Sequence, residues 1–179
     1  MNEQREKYII LLLGSSDKPI PTMWHVQKEL FVLSQFYPKV QEFFKFEKHY
    51  QGPYSQVLQD LVVEPAYHVN AYTYDQHGYH LTPTGKKIFQ QLVSQYADNE
   101  KFTQLLKASE LIRRLYDKLT KDELLFLIYI TYPAYTEFSD QYQRLVENKA
   151  NRKKLAESLY KLGLVTEERY KELAGNVIA

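Results

Sequence analysis

Apolar residues in the first half of the chain recur at helical spacing three times and then switch to alternation. Between Glu3 and Leu13, Tyr8, Ile9, Leu11, Leu12 and Leu13 form an apolar stripe. Gly14-Ser15-Ser16-Asp17 ends it and Pro19-Ile20-Pro21 keeps it from restarting. Met23, Val26, Leu30, Leu33 and Tyr37 follow at spacings of three and four, with Thr22 as N-cap and Pro38 as stop. This second helix reads as the clearest amphipathic element of the N-terminal half. Phe43 to Tyr50 alternates Phe44 and Phe46 with Lys45 and Glu47, which predicts a short strand or an extended approach to a turn at Gly52-Pro53. After the turn, Val57, Leu58, Leu61 and Val62 share one helical face, Ser55, Gln56, Gln59 and Asp60 the other, and Pro65 stops the run.

From Tyr67 to Thr82 the pattern is β-type. Tyr67, Val69, Ala71 and Thr73 alternate with His68, Asn70, Tyr72 and Tyr74 around a turn near Asp75 to Gly78. Thr84-Gly85 then opens a helix in which Ile88, Leu92 and Tyr96 share a face, with Lys86 and Lys87 at its start. Three helices, a hairpin wing and a returning helix give the order of a winged helix-turn-helix domain over residues 1–97.

The rest, 98–179, reads as a helical extension. Phe102, Leu105, Ile112, Leu115 and Leu119 repeat at helical spacing, and Thr120 with Glu123 forms a capping box ahead of Leu124 to Tyr132. That run is so uniformly apolar that it must be buried nearly all round, and Pro133 ends it. Ser139 or Thr136 is expected to cap a helix carrying Tyr142, Leu145 and Val146. A break at Asn148 to Asn151 precedes Leu155, Leu159 and Leu162, with Gly163 as terminator and Thr166 ahead of a last helix. The fold class expected is mainly α with a small β-hairpin, an N-terminal winged helix-turn-helix joined to a C-terminal helical bundle.

Three segments carry a family likeness: Gln27-Lys28-Glu29-Leu30-Phe31-Val32-Leu33, Tyr50-Gln51-Gly52-Pro53-Tyr54-Ser55, and Gly78-Tyr79-His80-Leu81-Thr82-Pro83-Thr84-Gly85. In these the chain resembles small prokaryotic winged-helix proteins, distant relatives of the antitoxin-associated family called Panacea. The likeness spans roughly Tyr8 to Tyr96, and Leu124 to Ser139 is similar to the helical extension of some members. It implies the fold, and a role in transcription regulation or in neutralising a partner protein. It brings no catalytic residues.

Composition narrows the chemistry. The 179 residues, 44% hydrophobic and 25% charged, are enough to bury a core and too apolar for a disordered chain. The absence of cysteine removes disulfides, thiolate metal sites and cysteine nucleophiles. The polar Met1 to Lys7 and the short apolar run Tyr8 to Leu13 resemble neither a signal peptide nor a membrane span, so the expectation is a soluble cytoplasmic protein. A net charge of +1 means that any nucleic-acid face must be a local patch.

The expected function is a winged-helix, DNA-binding, non-enzymatic transcriptional regulator, with Ser55, Gln56 and Gln59 at base edges, since glutamine pairs bidentately with adenine, and Lys28, Lys45, Lys48, Lys86 and Lys87 at phosphates, with His77 on the wing. The difficulty is that no Lys or Arg occurs between His49 and Gly85. Dense wing tyrosines, Tyr72, Tyr74 and Tyr79, supply the competing expectation, a protein partner docked on rigid aromatic faces. Helix 98–119 is the candidate homodimer element. No phosphate loop, nucleophile elbow or histidine metal motif is present, so no catalytic residue, metal or cofactor is expected.

Overall fold

The computed structural model describes residues 1–175 and is mainly helical, with one small antiparallel sheet. It divides into two compact units, and neither is a continuous stretch of chain. The first holds Met1–Phe46 and Ser55–Lys118; the second holds Glu47–Tyr54 and the chain from Leu119 onward.

The first unit contains α1 (Asn2–Gly14), α2 (Met23–Phe36), α3 (Pro38–Phe44), α4 (Gln56–Val63), β1 (Tyr72–Asp75), β2 (Gly78–Leu81), α5 (Pro83–Gln95) and α6 (Glu100–Tyr116). Side chains hold the starts of α4, α5 and α6, where Ser55, Thr82 and Asn99 each accept a backbone N–H three residues on. β1 pairs with β2 from Tyr72↔Leu81 to Asp75↔Gly78, and Ile20 and Tyr79 exchange main-chain bonds of 2.8 Å, so the segment between α1 and α2 adds to the open edge of β2. Ile9 to Leu13, Leu30, Leu33, Leu58 and Ile112 lie in the core.

Several expectations are corrected here. α2 is not amphipathic in its surroundings, because every residue from His25 to Ser34 is buried, its polar ones included. Thr22 stands at its N-cap but turns its hydroxyl to His25 Nδ1, 2.9 Å away, and makes no capping bond. Pro38 ends α2 and also starts α3, since a missing N–H and a fixed φ suit the first position of a helix. The expected strand at Phe43 to Tyr50 is therefore the end of α3 and a single bridge, Glu47 to Tyr54. The hairpin is shorter than the alternation implies, starting at Tyr72, and Ala71 and Tyr72 are both buried, which strict alternation forbids.

A buried arginine closes the first unit. Arg113 of α6 donates through Nη1 to the carbonyls of Leu12, 2.8 Å, and Leu13, 3.1 Å, and through Nη2 to that of Lys18. Leu12 and Leu13 lie in the last turn of α1, where carbonyls lack full helical pairing, although Leu12 also accepts the Ser15 N–H at 3.3 Å; Lys18 lies in the segment that follows. Its Nε meets Asp117 at 2.9 Å and lies 3.6 Å from Glu29. The sequence reading draws its boundary after residue 97, whereas the compact units part after Lys118, because α6 spends Leu105, Ser109, Ile112 and Arg113 in the first core.

The second unit holds α7 (Lys121–Thr131), a 3-10 turn (Pro133–Thr136), a π turn (Gln143–Glu147), α8 (Lys149–Lys161) and α9 (Glu167–Ala174). The capping box of Thr120 and Glu123 is complete, and α7 is buried from Leu124 to Tyr129. Where a helix capped by Thr136 or Ser139 is expected, the chain makes the two short turns, neither with a side-chain cap. Asn148 caps α8, Gly163 ends it with φ +71°, and Thr166 caps α9. Glu47–Tyr54 belongs to this unit through Lys48, which pairs with Glu137, and through the Tyr50 carbonyl, which accepts Asp140 N–H at 3.2 Å.

Candidate functional site

The surface formed by α4 and the hairpin is held from beneath by buried polar groups. Ser55 Oγ accepts Leu58 N–H at 3.1 Å and donates to the Phe44 carbonyl, while its main chain is gripped by the Gln27 amide. At the other end of α4, the Tyr72 hydroxyl donates to the Leu61 carbonyl at 2.8 Å. Burial pushes the pKa of that phenol up, so it stays a donor. With Leu58, Leu61 and Val62 turned inward, α4 presents Gln56, Gln59, Asp60 and Val63, and Gln56 Nε2 reaches Asp60 at 2.6 Å.

Between α4 and β1 the chain is pinned by Glu6 of α1. Its buried carboxylate accepts N–H groups from Ala66 at 2.8 Å, Tyr67 at 2.9 Å and His68 at 2.5 Å. Three backbone donors converging on one carboxylate hold the loop without strand pairing. The hairpin then turns tightly, with Asp75 accepting His77 N–H at 2.8 Å, and Tyr74 lies against Tyr79 with ring centroids 4.6 Å apart. Gly78 has φ +119°, and a Cβ there would stand 2.3 Å from the Ile20 carbonyl. Only glycine allows that approach.

The predicted site residues divide sharply by exposure. Lys28 is only 2% exposed, with its ammonium 4.6 Å from the Trp24 ring centre, and burial pushes its pKa down to about 7. It cannot meet a phosphate. Ser55 is a buried cap and Tyr72 a buried brace, so neither faces a partner. Lys48 is exposed but ion-paired with Glu137, and it lies in the second unit. Lys45, Lys86, Lys87, Gln56, His77 and Tyr74 are exposed, and Gln59 and Tyr79 half-buried. Of the five expected lysines, Lys45, Lys86 and Lys87 therefore remain as exposed cations of the first unit.

Sequence reasoning missed Glu6, Gln27 and Arg113. Gln27 lies within a quoted motif, which marks it but not its partner. Glu6, between Arg5 and Lys7, has the look of solvated charge. Tyr74, expected to face a partner, is 59% exposed; missed was the exposure of Val63 at the end of α4, 67%, and of Tyr67, 59%, and Val69, 60%, in the loop that follows. Among the described residues no group of three His, Asp or Glu side chains is placed to hold a metal ion, and no helix is long and apolar enough to cross a membrane.

No protein-family model, curated protein or solved structure matches this chain.

Proposed function

We propose that the first unit is a winged helix-turn-helix, with α4 in the recognition position and β1–β2 as the wing, and that it is a non-enzymatic regulatory module docking onto a protein partner. The observation that carries this reading is the make-up of the α4 and hairpin surface. Val63 of α4, Tyr67 and Val69 of the following loop and Tyr74 of β1 are exposed, as are Asp60 and Glu64, and from Gln51 to Thr84 there is no Lys or Arg. Apolar and aromatic groups without cations suit a protein interface and give a phosphate backbone little to hold.

DNA is the second reading, favoured by the outward Gln56 and Gln59 and by exposed Lys86 and Lys87 where α5 begins. It also calls for paired half-sites and a dimer. α6 has Leu111, 45% exposed, to offer such a contact, its other apolar face being used within the unit.

Photo-crosslinking separates the two. A benzophenone side chain at Val63 or Tyr74 is expected to capture one discrete protein from native lysate, while the same probe at Lys153 on α8 captures none. Gel shifts of genomic fragments at low salt are expected to show no complex. A salt-sensitive DNA complex, lost in Lys86→Ala/Lys87→Ala, overturns the protein reading in favour of DNA.

A further inference from the structure

We infer that the first unit carries a binding site for a small amphipathic carboxylate, in a groove formed by α1, the start of α3, the end of α5 and the start of α6. The groove encloses about 520 Å³, within the range of pockets that take small organic ligands. Its floor is carbon: Leu11, Leu92 and Leu105 with the rings of Tyr8, Tyr37 and Phe102.

Its charge is one-sided. Lys7, Lys39 and Lys101 line it, and no Asp or Glu does, although the whole chain has nearly equal numbers of both signs, 23 basic and 22 acidic residues. Lys7 is occupied by Glu3 at 2.6 Å, whereas among the described residues neither Lys39 nor Lys101 has an ion-pair partner. Asn99, also in the lining, caps α6 through Phe102 N–H, so the positive end of a 17-residue helix adds to the same field. Burial, and in the same direction the charge of Glu42, pushes the pKa of the Tyr8 phenol up and keeps that hydroxyl protonated, a neutral donor at the groove wall.

An apolar floor under two unpaired ammonium groups selects a ligand with a hydrocarbon or aromatic body and an anionic head. The floor disfavours a polyanion, and the lysines a cation. No residue of α4 lines the groove, so the site does not depend on which partner α4 meets.

The probes are decanoate, decanol and decylammonium, titrated calorimetrically into the full chain below their aggregation limits, with methyl shifts of Leu11, Leu92 and Leu105 followed by NMR. Decanoate is expected to bind one-to-one, at least tenfold tighter than decanol, with decylammonium undetectable and the three leucine methyls shifting most. Lys39→Gln/Lys101→Gln is expected to weaken decanoate at least tenfold, leaving decanol binding and the melting temperature unchanged. Absence of decanoate binding at millimolar concentration, equal affinity for the three heads, or shifts centred elsewhere would each overturn the site.

Discussion

Gln27 and Ser55, 28 residues apart, are joined twice: Gln27 Nε2 donates to the Ser55 carbonyl and Gln27 Oε1 accepts the Ser55 N–H, both at 2.9 Å. A side-chain amide thus stands in for a strand partner in the middle of the core. The Ser55 carbonyl also accepts Gln59 N–H at 3.1 Å, so losing Gln27 orphans chiefly the Ser55 N–H. Gln27→Met is expected to cost about 2–3 kcal/mol in urea unfolding, the penalty of a buried donor left unsatisfied. A loss below about 0.5 kcal/mol would mean that the clamp does not matter to stability.

Glu6 anchors the loop before the hairpin through Ala66, Tyr67 and His68. Glu6→Ala is expected to destabilise by about 3 kcal/mol, because three part-buried backbone N–H groups lose a buried, charged acceptor. Hydrogen exchange at residues 66–68 should quicken far more than at α6. Uniform quickening would show the loop to have no separate dependence on Glu6.

Glu29 and Asp117 share the Arg113 guanidinium, and neither Glu29 oxygen meets a hydrogen-bond donor. Burial first, then the charge of Asp117, pushes the pKa of Glu29 well above its ordinary 4.5. The folded chain therefore keeps a proton that the unfolded chain has lost. The stability so gained is complete below about pH 4.5 and drains away as pH rises through the folded value. Glu29→Gln cannot titrate, so wild-type stability relative to this variant should fall as pH rises from the ordinary carboxylate value of 4.5 toward the raised folded one. A difference that stays constant as pH rises above 4.5 would rule out a buried, protonated Glu29.

Lys28 works in the opposite sense. Its pKa falls from 10.5 unfolded to about 7 folded, so the folded chain binds fewer protons and stability rises with pH between those values. Lys28→Met should be more stable than wild type at pH 6, with the advantage shrinking by about 1.4 kcal/mol per pH unit above 7. Trp24, the single tryptophan, reports on the same group, and its fluorescence should titrate near pH 7 in wild type and not in Lys28→Met.

Much of the architecture is legible in local chemistry. Thr120 with Glu123, Thr166 and Gly163 announce helix ends because their work is done within a few residues. The hairpin turn is legible for the same reason. What escapes is whatever depends on partners far along the chain. Lys28 and Glu29 look like the wet face of α2, yet both are buried, Lys28 with its ammonium 4.6 Å from the Trp24 ring centre and Glu29 3.6 Å from Arg113, 84 residues on. Counting lysines on helical faces therefore overstates the cationic rim. Exposure of Val63 and Val69 escapes for the converse reason: valine reads as core, and nothing local says that the core ends before it.

The excursion of Glu47–Tyr54 into the second unit has a consequence for the order of synthesis. A chain extended to Lys118 already possesses every segment of its first unit, yet Lys48 must wait for Glu137, and the Tyr50 carbonyl for the Asp140 amide. The nascent protein carries this loop as an unclaimed docking strip, and no single proteolytic cut can afterwards release either unit whole.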